Sequence, residues 1–193
     1  MGQPAGGQGR ILTIPNLVTV VRLLGVPLFL WLLLVRRADG WATAVLAIGG
    51  TSDWVDGFLA RRLGQVSRIG ELLDPLADRL YIIATLLALS VRDVIPWWFT
   101  GALLIREATL AVLLLVLRRN GYGPPPVHYV GKAGTFLLLI ALPMLLLAHA
   151  SASASHWAYP MGWGIGWWGL VLYYVAGLFY VVQAAGAVRE ARG

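Results

Sequence analysis

Apolar stretches of about 20 residues follow one another closely along this 193-residue chain, and each is long enough to cross a hydrocarbon core of roughly 30 Å. Hydrophobic residues make up 59% of the sequence and charged residues only 12%, about half the charged fraction of an ordinary soluble domain. Little chain is left over for a soluble domain. The sequence therefore predicts an all-α integral membrane protein.

Six membrane spans can be placed, because each apolar stretch is bounded by charged residues, Gly or Pro. We assign no structure to residues 1–9, which are rich in Gly and Gln, and expect a flexible tail there and one membrane domain over 10–193. The first apolar segment is too long for the core of a signal peptide, so we expect it to remain as a helix. The predicted spans are 15–35, 41–62, 70–91, 95–118, 128–149 and 163–187.

The distribution of Lys and Arg predicts the orientation of these spans, since cytoplasmic loops are enriched in basic residues. An even number of spans places both termini on one side of the membrane. That side holds most of the basic residues, so both termini are expected in the cytoplasm, in a multi-pass protein of the cell membrane. The basic residues on the side of the termini are Arg10, Arg61, Arg62, Arg68, Arg118, Arg119, Lys132, Arg189 and Arg192, and those on the other side are Arg36, Arg37 and Arg92.

Composition also limits the chemistry that the chain can support. It contains no cysteine, which excludes disulfides, thiolate-bound zinc and cysteine nucleophiles, so any metal must be held by oxygen or imidazole. The net charge of +6 would suggest nucleic acid in a soluble protein. Because the basic residues lie mainly at helix ends, membrane topology and anionic lipids explain that charge better, and no nucleic-acid partner is expected.

Four aspartates lie in segments where charge is expensive. Asp53 and Asp56 are in the second apolar segment, and Asp74 and Asp78 are near the start of the third. Each ionised group costs about 2.5–3.5 kcal/mol inside a membrane, so positive charge must lie among them. Spacings of three and four residues place each pair on one face of its own helix, and the two consecutive helices are expected to be antiparallel.

Four converging carboxylates would form an oxygen-rich site suited to two Mg²⁺ or Mn²⁺ ions. The structural alternative is that the aspartates form buried ion pairs with nearby arginines. Four acids on two adjacent helix faces exceed the local basic charge, which favours a metal site. Gly57 and Ala60 beside Arg61 would also let a substrate approach the helix backbone while a guanidinium binds phosphate, as a nucleotide pyrophosphate requires.

The pattern D-x-x-D-G-x-x-A-R-x8-G-x3-D-x3-D is matched at every fixed position between Asp53 and Asp78. It resembles the signature of the CDP-alcohol phosphatidyltransferases, whose single domain of six helices would cover nearly the whole chain. The resemblance implies a homodimer with a polar cavity near the cytoplasmic leaflet. It also implies transfer of a phosphatidyl group from CDP-diacylglycerol to an alcohol, with release of CMP.

The resemblance assigns roles to individual residues. The four aspartates would bind two divalent ions, with Asp78 as the general base and Asp74 beside it in catalysis. A further group would contact the CDP moiety, and another would bind the acceptor or its phosphate. The first group is Asn16, Asp53, Gly57, Ala60, Arg61 and Gly70, and the second is Arg22, Arg68, Arg106 and Lys132.

The acceptor alcohol is less strongly indicated. Segments 14–16 and 19–22 resemble the branch that contains phosphatidylglycerophosphate synthases and eukaryotic-type cardiolipin synthases. Bacterial members that use glycerol 3-phosphate tend to show a G-K-x-K-T pattern, whereas Gly134 stands here in place of the second lysine. Less positive charge favours phosphatidylglycerol, a monoanionic diester, over the nearly dianionic glycerol 3-phosphate, and segments 25–31 and 118–126 resemble actinobacterial cardiolipin synthases. Phosphatidylglycerol is therefore expected, glycerol 3-phosphate is the alternative, and inositol phosphate is a more distant one.

A cation-coupled transporter is the alternative from another functional class, because carboxylates within the membrane also bind ions in transporters. The sequence contains no internal repeat and no pair of broken helices in matching halves, which are common signs of secondary transporters. The acids also lie toward the predicted cytoplasmic ends of their helices, away from the midplane. An enzyme is therefore the preferred interpretation.

Overall fold

Every element of the computed structural model is a helix within the residues that the structure describes. These residues are 24–63, 68–120 and 129–190, and the side chains of 52–78, 185 and 187–190 are outside the description. The predicted all-α fold is thereby confirmed for the described part of the chain. Its six helices are α1 (Leu24–Val35), α2 (Asp39–Leu63), α3 (Arg68–Val91), α4 (Trp97–Arg119), α5 (Tyr129–Ala150) and α6 (Ala152–Glu190).

Three of these helices are long and apolar enough to cross a membrane within the described residues. They are α4, α5 and the part of α6 over Ala152–Ala184. Leu24–Val35 and Arg79–Val91 are shorter apolar helical stretches. The chain is thus a membrane protein with several apolar helices, and the remaining predicted spans stay a prediction.

The helices form two compact units, one up to Ala88 and one from Leu89 onward. In the first unit α1 packs on α2. The buried side chains of α1 are Phe29 and Leu33, and α2 buries Ala42 and Leu46, so that each helix repeats its buried positions at an interval of four residues. This spacing places the buried residues of each helix on one face.

The last turn of α1 is a π-helix over Trp31–Val35. The N–H of Arg36 donates to the carbonyl of Trp31 at 2.9 Å, five residues back rather than four. The wider turn leaves the Arg36 guanidinium 5.2 Å from the centre of the Trp31 ring. A basic residue and an aromatic ring therefore lie together at the end of α1, as is common near a lipid interface.

In the second unit, the end of α3 is closed by a Schellman-type turn. The N–H of Val94 donates to the carbonyl of Leu89 at 2.9 Å, and that of Asp93 donates to Ser90 at 3.1 Å. Asp93 has a positive φ of 54°, which Asp tolerates better than most residues. The Ser90 and Thr100 hydroxyls are buried and lie 2.6 Å apart, which ties this turn to the first turn of α4.

Small residues bring α5 and α6 into close contact along what we call the α5–α6 seam. A Cβ atom at Gly162 would lie 2.9 Å from Leu145 Cδ2, and one at Gly134 would lie 2.9 Å from the backbone N of Tyr173. The residue numbers of the contacting positions increase along α5 as they decrease along α6, so the two helices are antiparallel. The seam pairs are Gly131 with Ala176, Gly134 with Tyr173, Leu138 with Gly169, Ala141 with Gly166, and Leu145 with Gly162.

The start of α6 differs from the sequence prediction. The predicted span began at residue 163, whereas α6 begins at Ala152 and only Ser151 separates it from α5. Ser151 caps the helix by accepting a hydrogen bond from the N–H of Ala154 at 3.4 Å. Pro160 and Gly162 both lie inside α6, because a helix in an apolar environment tolerates them, and Gly162 is used for packing in the seam. The predicted spans 41–62, 70–91, 95–118 and 128–149 fall on α2 to α5. They agree to within two residues at the helix ends that have described residues on both sides, which are the start of α2, the end of α3, both ends of α4 and the end of α5.

Replacement of Gly169 by Val should open the seam, because a Cβ atom there would already lie 3.0 Å from Leu138 Cγ and 3.2 Å from its backbone N. Overpacking of this kind costs about 1–3 kcal/mol, so we expect the melting temperature in detergent to fall by several degrees. Gly164→Val is the matched control, since it lies on the same helix and has no atom within 4 Å of its Cβ position. Equal melting temperatures for the two variants would contradict the close approach of α5 and α6.

Candidate functional site

The signature aspartates lie on two consecutive helices. Asp53 and Asp56 belong to α2, and Asp74 and Asp78 belong to α3. Because both segments are helical, the spacings of three and four residues place each pair on one helix face, as the sequence predicted. Their side chains are outside the described residues, so the predicted convergence of the four carboxylates stays a prediction.

Tyr81 sets the alignment of α2 and α3 next to these aspartates. Its hydroxyl donates to the carbonyl of Leu46 at 3.3 Å, and it occupies the space left by Gly49, where a Cβ atom would lie 2.7 Å from that hydroxyl. Asp53 follows Gly49 by about one turn of α2, and Asp78 precedes Tyr81 by about one turn of α3. The contact between Tyr81 and α2 therefore aligns the two helices about one turn away from Asp53 on α2 and from Asp78 on α3.

This donor set fits a divalent metal by its chemistry. Carboxylate oxygens on two aligned helices are ligands that Mg²⁺ and Mn²⁺ prefer. Among the side chains that the structure describes, no group of three His, Asp or Glu residues is placed to hold a metal. The four aspartates, which are not among those side chains, thus stay the candidate ligands.

A second polar group lies within the apolar helices of the second unit. Arg106 is only 8% exposed and lies about 14 Å along α4 from Trp97 and about 20 Å from Arg119. Its Nη1 lies 2.9 Å from Oε1 of Glu107, and its Nε donates to the carbonyl of Tyr173 at 3.2 Å. Charge at such a depth requires partners, and Glu107 and α6 supply them.

Tyr173 on α6 contacts this ion pair with its side chain as well. The Arg106 guanidinium lies 3.7 Å from the centre of the Tyr173 ring, and the Tyr173 hydroxyl donates to Oε1 of Glu107. The neighbouring Tyr174 hydroxyl donates to the carbonyl of Ala102 on α4 at 2.8 Å. Sequence reasoning missed both tyrosines, although their position well inside a long apolar helix was a usable signal.

Lys132, the other described candidate for binding the acceptor, lies in the first turn of α5. Its side chain is exposed, and its Nζ lies 5.6 Å from the centre of the Tyr129 ring. Arg106 and Lys132 thus belong to consecutive helices of the same unit. Glu107 offsets the charge of Arg106, whereas no acidic side chain among the described residues is paired with Lys132.

Gly134, which stands where glycerol 3-phosphate enzymes tend to have a second lysine, is buried in the α5–α6 seam. A Cβ atom at this position would lie 2.9 Å from the backbone N of Tyr173 and 3.2 Å from the carbonyl oxygen of Gly169. A lysine there would require α5 and α6 to separate. The absence of a second lysine at position 134 therefore coincides with the close packing of α5 against α6 at this position.

The other predicted site residues fall into two groups. Asn16 and Arg22 lie outside the described residues. A further set lies on α2 and α3, where only the helical backbone is described. That set is Gly57, Ala60, Arg61, Arg68 and Gly70.

Comparison with known proteins decides the class of this site. The sequence profile of the CDP-alcohol phosphatidyltransferase family matches residues 12–177, which include the whole aspartate motif and most of α6. The chain belongs to the CDP-alcohol phosphatidyltransferase family. The resemblance inferred from the motif is thereby confirmed, and the chain is a CDP-alcohol phosphatidyltransferase enzyme, as expected. Membership implies the use of a divalent metal.

Three individual relatives from within this family differ in their similarity to the chain. The chain is 51% identical over 185 residues to a cardiolipin synthase (CMP-forming) of Streptomyces coelicolor, covering 93% of this chain and 86% of the relative. A Mycobacterium tuberculosis protein that is provisionally named a cardiolipin synthase is 41% identical, with 97% and 90% coverage. The CDP-diacylglycerol glycerol-3-phosphate 3-phosphatidyltransferase of Bacillus subtilis is 34% identical, with 69% and 76% coverage. This member of the phosphatidyltransferase family is thus more similar to the two proteins named for cardiolipin synthesis.

Removal of one partner of the buried ion pair should destabilise the protein more than removal of both. In Arg106→Met, Glu107 loses its counter-ion in an apolar environment, which costs about 3–5 kcal/mol when a buried pair is broken. We expect Arg106→Met to melt well below the wild type in detergent, and Arg106→Met combined with Glu107→Gln to melt above the single variant. If the single variant is as stable as the double variant, the two charges are not paired.

Proposed function

We propose that this protein is a cardiolipin synthase, which transfers the phosphatidyl group of CDP-diacylglycerol to phosphatidylglycerol and releases CMP. The observation that carries the proposal is the 51% identity, over 93% of the chain, with the Streptomyces coelicolor cardiolipin synthase. The complete aspartate motif on α2 and α3 supports it, because the catalytic groups of the family are all present.

The proposed reaction is substitution at the phosphorus that carries the diacylglycerol. A free hydroxyl of phosphatidylglycerol forms the new P–O bond, the bond from phosphorus to the oxygen of CMP breaks, and Asp78 takes the hydroxyl proton. Two bound divalent ions would offset the negative charge that develops on the phosphate oxygens. Asp53, Asp56 and Asp74, together with Asp78, would hold those ions, with Asp74 beside the base.

The nucleotide part of the donor is assigned to α2, the start of α3 and the segment before α1. Gly57 and Ala60 leave space beside the helix backbone, and Arg61 would bind the pyrophosphate. This assignment follows the match between the family signature and the residues of the two helices. The proposed contacts to the CDP moiety are Asn16, Asp53, Gly57, Ala60, Arg61 and Gly70.

The acceptor phosphate is assigned to basic residues on several helices. Arg106 and Lys132 are the described members, and Arg22 and Arg68 are the members outside the described side chains. Since Glu107 offsets Arg106, the described members carry little excess charge. A monoanionic phosphodiester, as in phosphatidylglycerol, suits such a site better than the nearly dianionic phosphate of glycerol 3-phosphate.

We further infer that all six helices cross the cell membrane, with both termini and the active site on the cytoplasmic side, in one membrane domain over 10–193 that forms a homodimer. The excess of Lys and Arg on the side of the termini supports this orientation. The homodimer follows from the family resemblance, and a monomeric mass for the protein in detergent would contradict it.

Because the chain contains no cysteine, single introduced cysteines should report this orientation without background. Ser153 and Arg119 are both exposed, and they lie near opposite ends of the proposed spans. A membrane-impermeant maleimide should label Ser153→Cys in intact cells and Arg119→Cys only after the membrane is opened. The reverse labelling pattern would contradict the proposed topology.

The acceptor can be tested directly by supplying purified protein with Mg²⁺ or Mn²⁺, CDP-diacylglycerol and one acceptor at a time. We expect CMP release with phosphatidylglycerol, a cardiolipin product by mass, and little release with glycerol 3-phosphate or inositol phosphate. CMP release only with glycerol 3-phosphate would be consistent with the proposed mechanism but would contradict phosphatidylglycerol as the acceptor. No release with any of the three acceptors would contradict the proposed function.

Asp78→Asn should lower the rate of CMP release by at least about 100-fold, because the amide cannot accept the hydroxyl proton. Asp93→Asn is the matched control, since Asp93 is exposed in the turn between α3 and α4, and its activity should stay near that of the wild type. Chelation by EDTA should abolish wild-type activity, and added Mg²⁺ or Mn²⁺ should restore it. Full activity of Asp78→Asn would exclude the proposed base.

A further inference from the structure

Arg106 is held more firmly than a buried ion pair alone requires. Glu107 binds its Nη1, the Tyr173 carbonyl accepts from its Nε, and the Tyr173 ring lies 3.7 Å from the guanidinium. The Tyr173 hydroxyl also donates to Glu107, so that one residue of α6 fixes both members of the pair. The orientation of the guanidinium is therefore set by contacts on its edge and on its face.

Arg106 has N–H donors that make no hydrogen bond to the described residues. A guanidinium has five N–H donors, and two of them are used by Tyr173 and Glu107. The other donors have no partner among the described residues. None of these unused donors is among the fully buried, unpaired polar atoms of the described side chains, so they are accessible on a side chain that is otherwise only 8% exposed. Accessible N–H donors on a guanidinium are suited to an anionic ligand.

The α5–α6 seam fixes the backbone of Tyr173 from the other side. A Cβ atom at Gly134 would lie 2.9 Å from the backbone N of Tyr173 and 3.3 Å from the backbone C of Leu172. There is thus no space for any side chain at position 134 unless the backbone at Tyr173 moves. Such a movement would shift the carbonyl and the ring that contact Arg106.

We propose that Glu107 and Tyr173 are positioning residues for acceptor binding, which orient Arg106 toward the phosphodiester of a lipid acceptor, and that Gly134 sets the position of Tyr173. This inference rests on the proposed function, in which Arg106 binds the acceptor phosphate. A guanidinium with a fixed plane can offer two parallel N–H donors to a phosphate without first losing side-chain freedom. The glycine at position 134 then affects the choice of acceptor through packing.

A purely structural role would predict something different. The α4 and α6 helices are also joined by the hydrogen bond from Tyr174 to Ala102 and by the contact of the Phe99 and Trp163 rings, whose centres lie 5.3 Å apart. If the contacts of Tyr173 served only to join the helices, the loss of either tyrosine hydroxyl would affect stability alone. The positioning role requires that only Tyr173 affects the acceptor.

The test compares Tyr173→Phe with Tyr174→Phe in the purified full-length protein. Tyr173→Phe keeps the ring over Arg106 but removes the hydrogen bond to Glu107, whereas Tyr174→Phe removes a similar bond that does not touch the ion pair. We expect Tyr173→Phe to raise the KM for the acceptor about tenfold, as the loss of a hydrogen bond to a charged group does, and to leave the KM for CDP-diacylglycerol unchanged. Tyr174→Phe should leave both values unchanged.

A second pair of variants tests the contribution of the seam. Gly134→Ala should raise the KM for the acceptor in the same way, because the added Cβ meets the backbone of Tyr173. Gly162→Ala is the matched control, since it crowds Leu145 in the same seam far from Tyr173. It should lower the melting temperature without changing the KM for the acceptor.

The results distinguish failure of this inference from failure of the proposed function. Wild-type activity with phosphatidylglycerol, glycerol 3-phosphate and inositol phosphate reports on the proposed function, and the KM values are then measured with whichever acceptor is used. Equal effects of Tyr173→Phe and Tyr174→Phe on the KM for that acceptor would overturn the inference. So would a change in kcat or melting temperature with no change in the KM for the acceptor.

Discussion

The hydrocarbon core of a membrane offers no water to backbone N–H and C=O groups, and this constraint accounts for most of what the structure contains. Within a helix every such group finds a partner in the same segment, so the described chain is helical almost throughout. The same constraint explains why Pro143 and Pro160 lie inside α5 and α6 without ending them. It also makes each buried charge conspicuous, since a charge at that depth persists only with a partner.

Apolar helices in lipid gain little from burying apolar side chains against one another, so their association depends on close packing. The α5–α6 seam meets this requirement with glycines and alanines that bring the two backbones together. Close packing has a consequence for the proposed site, because Gly134 touches the backbone of Tyr173, and Tyr173 holds Arg106. The residues that stabilise the helix pair are thus in contact with those proposed to bind the acceptor.

The aspartate motif illustrates how much a local pattern can predict. The spacing from Asp53 to Asp78 identified the family without any tertiary information, because the pattern fixes both the residue types and the distances between them along the chain. The alignment of the two helices was not predictable. It depends on Tyr81 entering the space left by Gly49, and a tyrosine in an apolar run gives no sign of such a contact.

The sequence by itself determined the helical class, the family and the positions of α2 to α5 along the chain, because these depend on hydrophobicity, motif spacing and charge within short segments. Tertiary structure decided that α6 begins at Ala152, that Gly134 is a packing position, and that Glu107 and Tyr173 hold Arg106. Each of these depends on which faces of two helices meet. Helix periodicity specifies the face of one helix, but the partner face, far away in the sequence, is chosen by how side chains of both helices fit together.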